Sequence, residues 1–105
     1  MNACKIHNIS DSSLWRSPPI NDPTDLIIAV ALHRKHVKGK TANITSISAL
    51  TGISRSTVAR RASNFEKHDF VELRISGKSS IIVLTSKGVD VIGELITRLQ
   101  CAVSM

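Results

Sequence analysis

Apolar residues recur along the chain first at helical spacing and later at strand spacing, and the switches mark the elements. Leu26, Ile27, Val30, Ala31 and Val37 form much of one helical face, so a helix is predicted from Thr24 to about Lys38. Its start is written in Asn21-Asp22-Pro23-Thr24-Asp25: Asp22 suits the N-cap, Pro23 the first helical position, and Asp25 the positive end of the dipole. His33, Arg34, Lys35, His36 and Lys38 crowd its last turns, where positive charge is favourable, and Gly39 ends it.

Thr41-Ala42-Asn43 reads as a very short strand, followed by a helix from about Thr45 to Thr51. Ile47 and Leu50, with Ile44 before and Ile53 after, are expected to face the core. Thr51-Gly52-Ile53 is a tight turn, because glycine takes a left-handed backbone at no steric cost. Ser54 then caps a helix to about His68, with Val58, Ala62 and Phe65 as its buried stripe. At 100° per residue, Ser56, Arg60, Ser63 and Lys67 point away from that stripe, flanked by Thr57 and Asn64. Two helices about such a turn are the pattern of a helix-turn-helix, whose second helix enters the DNA major groove.

Period two takes over after Asp69. Residues 70–75 and 81–84 are strand-like, and Ser76-Gly77-Lys78-Ser79-Ser80 between them is a polar turn. A hairpin in this place is a wing. Thr85 caps a last helix, Ser86 to about Cys101, on which Val89, Ile92, Ile96, Leu99 and Val103 make a seam at spacings of three and four, widened by Val91, Leu95 and Ala102. So much apolar surface on one short helix is expected to serve both its own core and a second subunit. The fold class is therefore mainly α with a small β-hairpin.

Residues 1–21 read as an irregular N-terminal arm, and residues 22–105 as the domain. The arm is either a loose tail or a segment that docks on its own domain or on a partner subunit; Trp15, in otherwise polar surroundings, favours docking. A net charge of +6 favours a polyanionic partner. The two cysteines, Cys4 and Cys101, form no disulfide framework, and no leader or membrane-length apolar run is seen, which points to a cytoplasmic protein with reduced thiols.

With this order of elements in hand, the chain resembles the winged helix-turn-helix domain of MarR-like transcription regulators over about residues 44–95. Carrying the resemblance are residues 44–50 and Gly52-Ile53-Ser54-Arg55-Ser56-Thr57-Val58-Ala59-Arg60, then Phe65-Glu66-Lys67-His68-Asp69-Phe70-Val71 and Leu84-Thr85-Ser86-Lys87-Gly88. Asp69 stands where the family has glycine, and Asp tolerates a left-handed backbone. Arg61 stands where a buried Leu is usual, so it either snorkels or contacts DNA. The resemblance implies a DNA-binding regulator that works as a dimer.

Chemistry on the predicted surfaces points the same way. Ser54, Arg55, Ser56, Thr57 and Arg60 occupy the turns that read bases, with Arg60 central. Arg61, Asn64 and Lys67 suit the DNA backbone, as do Lys78, Ser79 and Ser80 on the wing and Thr45 and Ser46 at the start of the preceding helix. The dimer surface is expected at Trp15, Val89, Ile92, Ile96, Leu99 and Val103. Cys4 with His7, and His33 with His36, have ligand-like spacings, but no further cysteine cluster supports a metal site. The eight acidic residues are too scattered for acid–base catalysis, and Gly77-Lys78-Ser79 lacks the upstream glycine and following helix of a phosphate-binding loop. No cofactor, metal or enzymatic activity is expected. The reading is a homodimeric, sequence-specific binder of double-stranded DNA, a repressor or autoregulator. Its rivals are a winged-helix protein-docking module and a DNA-binding role in replication, partition or recombination.

Overall fold

Asp22 starts the first helix as its sequence predicts: its carboxylate accepts from the backbone N–H of Asp25 at 2.9 Å, and Pro23 follows at the first turn. The computed structural model describes residues 16–103, in the order α1 (Pro23–Val37), β1 (Ala42–Asn43), α2 (Ile44–Thr51), α3 (Arg55–Lys67), β2 (Val71–Ser76), β3 (Ser79–Leu84) and α4 (Ser86–Val103). Cys4 and Trp15 lie outside the described residues. Just before α1, Ser17 and Ile20 exchange backbone hydrogen bonds of 3.1 and 2.7 Å, and Ile20 is fully buried in the core.

The apolar face of α1 is rotated from the expected one. Ile28, Ala29, Ala31 and Leu32 are buried, whereas Ile27 is 49% exposed and Val37 69% exposed. Residues 26–32 are apolar without interruption, so helical period alone leaves the phase of the face open. Leu50 is likewise 55% exposed rather than buried. It sits at the end of a short helix whose single buried residue is Ile47.

Hydroxyl groups brace the helix-turn-helix. Asn43 caps α2 in a reciprocal box with Ser46: Ser46 N–H donates to Asn43 Oδ1 at 2.7 Å, and Asn43 N–H donates to Ser46 Oγ at 3.0 Å. At the turn, Gly52 has φ +77° and ends α2. Ser48 Oγ donates to the Ile53 carbonyl at 2.6 Å, closing the turn from inside. Ser54 then caps α3, accepting from Thr57 N–H at 3.3 Å. The predicted stripe of Val58, Ala62 and Phe65 is fully buried.

The strands form one antiparallel sheet in the order β1-β3-β2. Asn43 pairs with Ile81, and Ile81 pairs with Arg74 across the same rung. α3 leads into the sheet through Asp69 at φ +62°, the left-handed residue anticipated there. The junction to α4 is a staple made by the Thr85-Ser86-Lys87-Gly88 run. Thr85 Oγ1 donates to the Asp69 carbonyl and accepts from Gly88 N–H. Lys87 Nζ donates to the His68 carbonyl at 3.1 Å and lies 5.6 Å from the Phe70 ring centroid. Gly88 is obligatory because a Cβ there would stand 2.1 Å from the Phe70 carbonyl oxygen.

On α4, Ile92 and Leu95 are buried in the core of their own chain. This removes Ile92 from the expected dimer surface: the rest of the fold already covers it. Val89, Ile96 and Leu99 are half-buried against that core, and the Val103 side chain lies outside what the structure describes. Cys101 is disulfide-bonded, where the sequence led to the expectation of a reduced thiol. Among the described residues no helix is long and apolar enough to cross a membrane.

Candidate nucleic-acid interface

Because Val58, Ala62 and Phe65 fix the inward face of α3, the opposite face is turned to solvent. Ser54, Arg55, Ser56, Arg60, Ser63 and Lys67 are exposed there, and Thr57 and Asn64 are half-buried at its flanks. Among the described residues Arg55, Arg60 and Lys67 make no ion pair. Their charge is therefore not cancelled locally. Arg60, Asn64 and Lys67 come together with Arg61 along one cleft of about 480 Å³, whose other wall is Asn21 and Asp25. Guanidinium, ammonium and amide groups along one face are donors that match phosphate oxygens and purine edges.

Arg61 does not belong with these donors. Its Nη1 lies 2.7 Å from Asp22 Oδ2 and 3.0 Å from Asp25 Oδ1. The backbone N–H of Asp25 and then the Arg61 guanidinium hold the Asp22 carboxyl below its usual range. Hydrogen bonds to Asp22 and then Asp25 push the Arg61 guanidinium up in turn. Arg61, expected to contact DNA, is engaged by an internal carboxylate pair instead of standing unpaired, because the cap of α1 brings Asp22 and Asp25 beside it. Asp25 was expected only to favour the helix dipole; it also accepts from Asn21 N–H at 3.1 Å and is buried.

Two further expected contacts are structural. Both hydrogen-bonding roles of Ser46 Oγ are taken by Asn43, from whose N–H it accepts and to whose carbonyl it donates. Ser54 Oγ is shared between Thr57 N–H and the hydroxyls of Thr57 and Ser56. Thr45 is exposed on the first turn of α2, one residue from the cap.

The wing is tighter than residues 76–80. Ser76 pairs with Ser79 and Ile75 with Ser80, so the loop is Gly77-Lys78 alone, with Gly77 at φ +61°. Glycine first in a two-residue loop lets the hairpin turn with its natural twist. Lys78 is exposed at the tip, whereas Ser80 is a half-buried strand residue and the Ser79 side chain is not described. One cation was missed. Arg74 stands exposed on the outer face of β2, 3.4 Å from Glu72 Oε1. The alternation Val71, Glu72, Leu73, Arg74 carried that signal. Ile75 is 85% exposed beside the loop, because the hairpin runs past the body of the domain there.

The apolar side chains that α1 fails to bury line two adjoining grooves. One holds Leu26, Ile27, Val30, Leu50 and Leu99 in about 380 Å³; the other holds Val30, Val37 and Ile96 in about 450 Å³. Both lie between α1 and α4, away from the exposed face of α3.

Neither a family model nor a curated protein matches the sequence. Solved structures do resemble it. AF1382 from Archaeoglobus fulgidus superposes with a TM-score of 0.70 at 24% identity, over 72% of this chain and 84% of that one. The PcaV transcriptional regulator from Streptomyces coelicolor, solved with its natural ligand, gives 0.71 at 19% identity, over 89% of this chain and 64% of its own. A transcriptional regulator homologue from Pyrococcus horikoshii gives 0.68 at 14% identity, over 89% and 92%. At these identities what is shared is the fold, a winged helix-turn-helix.

Proposed function

We propose that the chain is a sequence-specific binder of double-stranded DNA that regulates transcription, with α3 in the major groove and the Gly77-Lys78 loop on the backbone or minor groove. One observation carries this reading: among the described residues Arg55, Arg60 and Lys67 project from α3 without acidic partners, while the neighbouring Arg61 is neutralised by Asp22 and Asp25. A merely solvated helix face has no reason to keep its cations unpaired on one side only. Transcription regulators share this fold, which supports the assignment.

The working form is a homodimer in which the α1–α4 grooves meet a second copy. Ile27, Val37 and Leu50 are exposed there beside Ile96 and Leu99, and this face takes over the role that the sequence gave to Ile92. A two-fold pair then reads a pseudo-palindrome, and occupancy of a promoter represses. Selection of bound sequences from random DNA, followed by footprinting, tests the reading. Enrichment of a two-fold site is the expected result; no enrichment at low salt overturns DNA binding, and a bound monomer overturns the palindrome. Sites over a promoter support regulation, whereas iterated sites at a replication origin refute it.

A further inference from the structure

The chain has no acidic residue between Asp25 and Glu66, yet seven lysines and arginines lie there. Three of these are the α3 arginines. The other four, Arg34, Lys35, Lys38 and Lys40, gather at the C-terminal end of α1 and the link to β1, with His36 among them. The negative end of a helix dipole favours one or two cations; it does not require four.

The folded chain joins this group to the wing. Lys35, His36 and Lys40 line a cleft of about 330 Å³ together with Arg74 of β2, over a floor that includes Ile81 and Val83 of β3. Among the described residues no carboxylate lines this cleft, nor the smaller adjoining one that holds Arg34, Lys35, Lys38 and Lys40. Glu72 pairs with Arg74 from outside the cleft, and that contact is long and exposed. Sheet register fixes the spacing. Arg74, Ile81 and Asn43 share one rung, which spans ~10 Å at ~4.8 Å per strand. Lys40 stands three residues before that rung, and the wing tip three residues beyond it on β2, each ~10 Å of extended chain.

We infer that Lys78, Arg74, Lys40 and Lys35 form a second, sequence-independent DNA surface that carries the phosphate backbone past the wing, along the outer face of the hairpin. This rests on the DNA-binding reading and extends it. The stripe is roughly 20–30 Å long, against ~34 Å for a turn of duplex, so it adds more than half a turn of flanking DNA. A phosphate backbone is favoured over a small anion because the cations extend from the cleft to Lys78 at the wing tip, beyond the span of one small ion.

The test compares two duplexes carrying the selected site, one with about two and one with about twelve flanking base pairs on each side. Wild-type protein binds the longer duplex more tightly and with a steeper salt dependence. The Lys35→Gln/Lys40→Gln variant binds the short duplex as wild type does and loses the advantage of the long one. Its salt slope on the long duplex falls by ~1.8 per protomer, at ~0.9 per phosphate released. Arg74→Gln, on a different element, gives the same selective loss. An unchanged ratio between the duplexes in both variants overturns the inference while leaving α3 as the reader. An equal loss on both duplexes overturns it too, since the cluster then acts at the core site. If wild-type protein binds neither duplex, the DNA-binding reading fails and this surface with it.

Discussion

Arg61 on α3 shares one terminal nitrogen between Asp25, a carboxylate only 3% exposed, and the more open Asp22. The pair ties the middle of α3 to the first turn of α1. Replacing Arg61 by Ala leaves Asp25 buried with the Asn21 N–H as its remaining donor. We expect a loss of about 2–3 kcal/mol, below the usual cost of breaking a fully buried pair because Arg61 remains partly solvated. Chemical denaturation measures it; a loss within 0.5 kcal/mol, the scale of ordinary surface substitutions, refutes the role.

The same clamp sets an acid limit. The Asp22 carboxyl is lowered from 3.8, so its contribution is full above that value and fades as pH falls through the folded one. The Arg61 guanidinium, pushed up by its two carboxylate partners, stays charged throughout the acid range. Stability should therefore drop between about pH 5 and pH 2, and Arg61→Leu should flatten that slope. A wild-type and a variant curve that run parallel in acid would show that Asp22 is not the group responsible.

Arg60 is exposed at the centre of the face proposed to read DNA. Arg60→Ala should cost ~1–3 kcal/mol of discrimination at one base position and leave the melting temperature unchanged. Binding isotherms on the selected site and its single-base variants measure this. Equal loss on every sequence would make Arg60 a backbone contact instead.

On the proposed reading, Lys78 meets DNA from the two-residue wing loop and touches its backbone rather than its bases. Lys78→Ala should weaken binding by a similar factor on all sequences and lower the salt slope by ~0.9. A titration series in salt decides it, and a change confined to one sequence speaks against the wing as a backbone contact.

Gly88→Ala tests the staple between the sheet and α4. The added methyl group meets a backbone carbonyl that cannot swing aside. The expected destabilisation is about 3 kcal/mol or more, at the upper end for overpacking. A normal thermal melt would mean that α4 can shift at no cost.

How far the sequence could be read depended on whether neighbours in space were neighbours in pattern. Val58, Ala62 and Phe65 were legible because one stripe stands out on a polar helix. Asp22, Ser54, Gly52 and Thr85 were legible because capping is local chemistry. The face of α1 was not, since an unbroken apolar run from Leu26 to Leu32 gives every phase the same appearance. Arg61 was narrowed to two options, and only the fold could choose, because its partners lie 36 and 39 residues away. At the candidate site, Arg60 and Lys67 followed from helical geometry. Ser46 and Ser54 were placed correctly on their elements, but their hydroxyls serve the backbone. Ser80 was lost to the hairpin because register, which no local pattern reveals, decides where a loop begins.

One hydrogen bond has a mechanical meaning. Glu66, on α3, accepts from the N–H of Leu73 on the open edge of β2 at 3.0 Å, next to the contact between the Phe65 and Phe70 rings. It satisfies an edge group that would otherwise invite another strand. It also bolts the hairpin to the helix, so the two arms work like the jaws of a fixed caliper. If the proposed DNA-binding reading holds, a duplex whose grooves match that gap is gripped without rearrangement, and one that is over- or underwound must deform to fit.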